Sequence, residues 1–262
     1  MVRNTMDEEL HDQLADDLYQ ALESGDTIGR LTADHAIDIS DAYAIQDRFI
    51  EQRLSAENEV VGHKIGLTSD GIQEQLNVNE PDFGRLLTNM FVEGPVVSAD
   101  DLIAPRIEPE IGFILDRSLD APVTYLDVLD ATRSVLPVLE IIDSRVAEWD
   151  IRIQDTVADN ASAGLFVPGE MLSDPLGQDL SFEGLKLYKN GELESQGIGA
   201  NVLDHPAKAV AWLANTLDEM GDSLEAGELV LSGSFTPATD IAPGDVITAE
   251  FSSIGSVRAH VE

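Results

Sequence analysis

The run Val135 to Ile142, VLPVLEII, places one glutamate, Glu140, inside an otherwise apolar stretch. A run of this kind is buried in whatever fold the chain adopts. An ionised carboxylate inside it costs several kcal/mol unless it is paired, neutralised or bound to a cation. The fold is therefore constrained to bring compensating charge to Glu140. A second segment, RIEPEIGF from Arg106 to Phe113, carries Glu108 and Glu110. In an extended strand these two side chains share one face, with Pro109 on the other. Two carboxylates on one face repel each other. A cation shared with Glu140 would relieve both problems.

Acidic residues are common throughout the chain, whose formal net charge is −35 over 262 residues. Lysine is confined to Lys64, Lys186, Lys189 and Lys208, and the acids are scattered instead of gathered in a tail. The whole surface is thus expected to be acidic, which fits adaptation to high salt, where screening weakens carboxylate repulsion. Binding to nucleic acid or to an anionic membrane is disfavoured by the same charge. With no cysteine there is no disulfide, thiolate ligand or cysteine nucleophile. No stretch resembles a signal peptide or a bilayer span, so a soluble cytoplasmic protein is expected. The 43% hydrophobic fraction suffices for a sizeable core.

Leu10, Leu14, Leu18 and Leu22 recur every four residues, predicting an amphipathic helix over 7–24 closed by Gly25. A second helix is expected after Ser40 as N-cap, running to about Leu54. From Glu59 the texture changes to short β-rich runs: 60–67, 111–115, 135–142, 185–188, 229–231 and 246–251. One later helix, 206–220, interrupts them and stops at Gly221, and Asn190-Gly191 marks a hairpin turn. Segregated helices and strands indicate an α+β fold. The expected division is a helical N-terminal region, 1–58, and a metal-binding mixed β-roll catalytic domain, 59–262.

Other segments carry candidate chemistry. GHKIGLTS, Gly62 to Ser69, sets Lys64 in an apolar strand, where it can pair with an anionic substrate or move a proton. A lysine with a buried stem and a salt-bridged head accounts for it equally well. Ser69 and Asp70 read as a helix start, and EPDFG, Glu80 to Gly84, as a turn centred on Asp82. DTVADNAS, Asp155 to Ser162, reads as a capped turn through Asp159, Asn160 and Ser162. In LSGSFTP, Leu231 to Pro237, glycine and hydroxyl residues permit close backbone approach to a ligand.

Taken in order, these segments resemble the 2-keto-4-pentenoate hydratase and 4-oxalocrotonate decarboxylase branch of the fumarylacetoacetate hydrolase superfamily. The similarity rests on GHKIGLT, EPDFG, PRIEPEI, LPVLEIIDSR, DTVADNAS, LDHP (203–206) and GDVITAEF (244–251), and covers the chain from about residue 40. The resemblance implies that Glu108, Glu110 and Glu140 ligate Mg²⁺ or Mn²⁺, a hard cation with oxygen ligands. It assigns Lys64 and Asp82 to proton transfer or substrate activation, Ser162 to the pocket and Arg106 to the substrate carboxylate, although Arg106 paired with an acid explains it as well. The implied fold is a mixed β-sandwich roll behind a smaller helical region. The implied reaction is hydration of 2-hydroxypenta-2,4-dienoate to 4-hydroxy-2-oxopentanoate, as in meta-cleavage degradation of aromatic compounds.

Decarboxylation of 4-oxalocrotonate uses the same enolate chemistry and is the first alternative. Hydrolysis of an acylpyruvate C–C bond is the second, and a non-catalytic cation-binding protein the third. Relatives commonly have tyrosine where this chain has His63, so a pocket-shaping ring there would change substrate preference. The resemblance also implies a homo-oligomer of up to ten copies and association with a related decarboxylase or hydratase.

Overall fold

The computed structural model describes residues 8–69, 73, 78 and 80–262. The expected helix start after Ser69 falls on residues outside these, Gln73 excepted. The chain opens with three helices, α1 (Glu8–Ser24), α2 (Leu31–Asp34) and α3 (Ile39–Arg53). The N-cap of α3 is Asp38 and not Ser40: the Asp38 carboxylate accepts the Asp41 N–H, and Asp41 accepts the Asp38 N–H. That reciprocal box satisfies two otherwise orphaned donors and fixes the helix start two residues early. Leu14 and Leu18 of α1 pack on Ala42, Ile45 and Phe49 of α3, and Val157 and Ala158 from a later helix complete that cluster.

Twelve strands follow among the described residues: β1 (Val60–Gly66), β2 (Asp82–Leu87), β3 (Val96–Val97), β4 (Arg106–Leu115), β5 (Thr132–Ile142), β6 (Ala163–Pro168), β7 (Gly184–Lys189), β8 (Glu192–Ile198), β9 (Leu229–Ser234), β10 (Thr239–Asp240), β11 (Val246–Phe251) and β12 (Ser256–Val261). Between them lie α4 (Tyr125–Ala131), α5 (Ile153–Ala158) and α6 (Pro206–Met220). One sheet has the order β2-β1-β9-β4-β5-β6, with β10 also paired to β4; the other runs β3-β12-β11-β7-β8. Both mix parallel and antiparallel pairs, since β1–β9 and β12–β3 are parallel. The fold is α+β, N-terminal helices followed by mixed sheets.

Strand alternation divides the first sheet into two faces. Ile107, Ile111 and Phe113 of β4, with Val135, Leu139 and Ile141 of β5, join the main core beside Leu187, Ile247 and Ala249 of the second sheet and Leu213 and Leu217 of α6. Leu136 and Val138 face the other way, into a cluster with Leu86, Phe166, Leu231 and Ile50 of α3. The glutamates belong to this second face. Gly221, at φ 82, ends α6, and Asn190 and Gly191, at φ 55 and 83, form the tight turn between β7 and β8. The segment expected as a turn around Asp82 is instead the start of β2, because Asp82 pairs with Gly66 and Phe83 with Ile65 in the β1–β2 ladder. Among the described residues no helix is long and apolar enough to cross a membrane.

Candidate active site

Register builds the acidic cluster. Strands β4 and β5 pair antiparallel with Glu108 opposite Glu140 and Glu110 opposite Val138, so all three glutamates rise from one face. One carboxylate oxygen from each lies within 4.8 Å of the others. Glu110 and Glu140 are buried and Glu108 is half-buried. Glu110 Oε2 accepts the Gly233 N–H at 2.7 Å. Gly233, at φ 104, sits in a register irregularity between β4 and β9, where Gly supplies the left-handed conformation that turns its N–H toward the glutamate.

Lys64 comes from β1, two strands away, and is buried. Its Nζ lies 3.3 Å from Glu140 Oε1 and donates to the Ala161 carbonyl at 3.2 Å. Asp82 from β2 stands beside it: a Cβ added at Gly66 would fall 2.2 Å from Asp82 Oδ1 and 3.5 Å from Lys64 Nζ. Ser162 is buried with its hydroxyl unpartnered, in the turn that also presents Ala161. Six of the seven expected site residues are thus set on four strands of one sheet, β1, β2, β4 and β5, and the turn before β6. Arg106 is the exception. Its Nε donates to Asp240 at 2.9 Å and its guanidinium lies 4.5 Å from the Trp149 ring centroid, an acid-paired, stacked arrangement outside the cavity lining.

Burial dominates the electrostatics. It raises the Glu108 carboxyl to about 7 and holds Glu110 well above the usual range, with neighbouring carboxylates adding to it and Lys64 opposing. Glu140 is also raised by burial against the opposing pull of Lys64. Asp82 is pushed to about 6, again by burial first. For Lys64 burial alone would lower the ammonium, but Glu140, Asp82, Glu108 and Glu110 together hold it above its ordinary value. Neither oxygen of Glu140 or of Asp82 accepts a well-formed hydrogen bond. Buried, under-satisfied oxygen acceptors crowded around one point are the donor set of a hard divalent cation.

Glu108 and Glu110 open onto a cavity of about 710 Å³. Its other walls come from Leu67 and Thr68 after β1, Asn201, Leu203 and Asp204 before α6, and Phe235 and Thr236 after β9. These residues fall in the 62–69, 203–206 and 231–237 segments, Asn201 excepted, and topology brings them together. No lysine or arginine is among the described lining residues, and residues 70–79 contain none either. His63, on the opposite side of β1 from Lys64, is buried 3.3 Å from Glu228 and does not line the cavity. His205 caps α6, its Nδ1 accepting the Ala207 N–H, so neither His63 nor His205 forms a water-activating pair with the glutamates.

A catalytic-type site of clustered glutamates on a mixed sheet accords with the family to which residues 70–262 match, fumarylacetoacetate (FAA) hydrolase C-terminal, and the chain belongs to that family. Within it, the chain falls in the 2-keto-4-pentenoate hydratase and 4-oxalocrotonate decarboxylase branch. It is 45% identical to the 2-keto-4-pentenoate hydratase of Paraburkholderia xenovorans (strain LB400) over 254 residues, 96% of this chain and 94% of that one. It is 47% identical to the 2-hydroxyhexa-2,4-dienoate hydratase of Comamonas testosteroni, over 87% of this chain and 88% of the relative. In structure it superimposes on 4-oxalocrotonate decarboxylase from Pseudomonas putida G7, complexed with magnesium and adipate, with a TM-score of 0.95 at 36% identity, covering 98% and 99% of the two chains.

Proposed function

We propose that the chain is a 2-keto-4-pentenoate hydratase, a hydro-lyase that adds water to 2-hydroxypenta-2,4-dienoate to give 4-hydroxy-2-oxopentanoate in meta-cleavage catabolism. The observation that carries this reading is the cavity itself: Glu108 and Glu110, clustered with Glu140 and Lys64, open onto walls that among the described residues hold Asp204 and no lysine or arginine. Such walls accept a vinyl terminus and repel a second carboxylate. 4-Oxalocrotonate carries that second carboxylate, and its loss as CO₂ defines the competing reaction. Identity of 45% to the hydratase relative supports the same choice.

In this reading Glu108, Glu110 and Glu140 would hold Mg²⁺ or Mn²⁺, which would supply a Lewis acid for the substrate's carboxylate and 2-oxygen. Lys64 and Asp82 move protons. Ketonisation takes the proton from the 2-hydroxyl and puts one on carbon 5, and hydration then puts the hydroxyl of water on carbon 4 and its proton on carbon 3. Two buried groups of opposite ordinary charge, side by side, supply a donor and an acceptor for those transfers. Ser162, whose buried hydroxyl has no protein partner, is the polar group assigned to substrate or water in this reading. The apolar Leu67, Leu203 and Phe235 exclude bulk solvent around the reacting carbons.

The helical region 1–58 and the catalytic region 59–262 act as one enzyme, joined where α1 and α3 pack against α5. Exposed Leu172, Leu176 and Phe182 on the segment before β7 fit a contact with further copies of the chain. The reading is tested by supplying 2-hydroxypenta-2,4-dienoate and 4-oxalocrotonate separately with Mg²⁺ or Mn²⁺. Hydration of the first without CO₂ from the second is expected, and the reverse pattern would make the chain a decarboxylase.

A further inference from the structure

We propose that Asn160 is a positioning residue for Lys64, acting through the main-chain carbonyl of Ala161; the proposal rests on the reading of Lys64 as a catalytic group. Asn160, Ala161 and Ser162 stand consecutively at φ 54, 50 and 53, and all three are buried. A single asparagine tolerates that left-handed region, but alanine and serine are disfavoured there and a run of three is rarer still. Such a turn persists only where its surroundings over-determine it.

Those surroundings are specific. The Asn160 side chain pairs with both main-chain groups of one residue of β2, its Oδ1 accepting the Arg85 N–H at 2.7 Å and its Nδ2 donating to the Arg85 carbonyl at 2.9 Å. The carboxamide therefore behaves as an extra strand residue added to the edge of the sheet. The Asn160 carbonyl sits 2.3 Å from where a Cβ on Gly84 would be, so the close approach requires glycine there. At its other end the turn is fixed by the Asp143 N–H donating to the Ser162 carbonyl at 2.8 Å.

Between these anchors the Ala161 carbonyl meets Lys64 Nζ at 3.2 Å. Gly84 is the cross-strand partner of Lys64, so clamp and lysine are tied to the same two strands. An ammonium has three N–H bonds and no acceptor. Ala161 takes one and Glu140 draws a second, leaving one to work. Without the clamp the backbone relaxes toward right-handed φ and withdraws the carbonyl, freeing Nζ to swing fully onto the carboxylates.

The test is a cycle of Asn160→Ala, Lys64→Ala and the double variant, assayed with 2-hydroxypenta-2,4-dienoate and Mg²⁺, with the folded fraction followed by circular dichroism. Asn160→Gly, which keeps the left-handed turn accessible and removes only the clamp, serves if the alanine variant folds poorly. Asn160 variants are expected to lose roughly 10- to 100-fold in kcat, as for a misplaced catalytic group, while KM and the Mg²⁺ requirement move less than about threefold. Asn160→Asp, which keeps the acceptor for the Arg85 N–H, is expected to recover part of the loss. In the Lys64→Ala background the Asn160 change should alter the residual rate by less than about twofold, because it acts through the missing group. An equal loss in both backgrounds, a loss confined to KM, or one that tracks unfolding overturns the proposal. Wild-type activity in Lys64→Ala removes the underlying reading of Lys64 and the positioning role with it.

Discussion

Lys64 Nζ and Glu140 Oε1 lie 3.3 Å apart with side chains only 4% and 1% exposed, so the Lys64 ammonium is committed to the glutamate furthest from solvent. A buried pair gains Coulomb energy but sacrifices hydration on both sides, and here one ammonium faces Glu140, Glu108, Glu110 and Asp82 together. The balance is left negative. A divalent cation would complete it, and Lys64 would then be both a neighbour and an electrostatic rival of the metal.

That rivalry predicts opposite effects on binding and turnover in Lys64→Met. Mg²⁺ affinity is expected to rise, since a repelling ammonium has gone, while turnover collapses. Without metal the variant should lose roughly 3–5 kcal/mol of stability, the usual effect of removing one partner from a buried pair. Calorimetric Mg²⁺ titration and urea unfolding with and without chelator measure both. Weaker Mg²⁺ binding in the variant would contradict the arrangement.

Glu110→Gln removes a proposed ligand whose other interaction, with the Gly233 N–H, the amide oxygen can keep. The fold should therefore survive while metal affinity falls by about 100-fold or more, beyond the effect of altering an outer-shell partner. Metal-dependent turnover should vanish. Wild-type rates in the chelated variant would dismiss the three glutamates as ligands.

The pH dependence follows from the direction of the carboxyl shifts. Glu108 rises from an ordinary 4.5 to about 7 on folding and Asp82 from 3.8 to about 6, in each case chiefly through burial. Across those windows the folded, metal-free protein binds more protons than the unfolded chain, so its stability is greatest on the acid side and falls as pH rises through them. Metal must displace those protons. Mg²⁺ affinity should climb with pH through the windows of Asp82 and Glu108, with protons released on binding near pH 6 and seen as buffer-dependent heats in calorimetry. A pH-independent affinity would rule this out.

Much of this was legible in the chain because periodicity and burial leave local marks. The helix 206–220 coincides with α6 and the strand 246–251 with β11, and the Asn190-Gly191 turn lies where expected. Glu140 betrayed itself as a charge in an apolar run. What was not legible depends on pairing across the chain. Asp82 read as part of a turn because Pro81 and Gly84 are turn formers, whereas its extended conformation is imposed by the β1 partner strand. Asn201 carries no local signal, and only the tertiary fold brings it to the cavity wall beside Phe235 and Thr236, which follow β9. Arg106 shares a strand face with the glutamates, yet Asp240 and Trp149, distant in sequence, take its side chain.

Two glycines on β1 should respond differently to alanine. At Gly62 a Cβ would meet the Leu229 carbonyl at 1.8 Å, and a main-chain atom in the neighbouring strand cannot step aside. Gly62→Ala should cost several kcal/mol and lower the melting temperature sharply. At Gly66 the obstacle is the Asp82 carboxylate, 2.2 Å away, which can rotate. Gly66→Ala is expected to fold with a modest loss of stability but to lose most of its turnover. Equal melting temperatures for the two variants would refute the distinction.

Salt should act on stability and on substrate capture in the same favourable direction. With a net charge of −35 the chain repels itself, and raising ionic strength from about 0.1 M to about 1 M shortens the Debye length from roughly 10 Å to 3 Å. The unfolding midpoint is expected to rise by several degrees over that range, which differential scanning calorimetry in KCl measures. The dienoate is an anion entering a cavity walled by Asp204, Glu108 and Glu110, so its approach is opposed by the same field. KM for the dienoate at saturating Mg²⁺ should therefore fall as KCl is added, until competition for the metal reverses the trend. A midpoint and a KM indifferent to salt would mean that the surface carboxylates are already neutralised locally, and the high-salt reading of the composition would have to be abandoned.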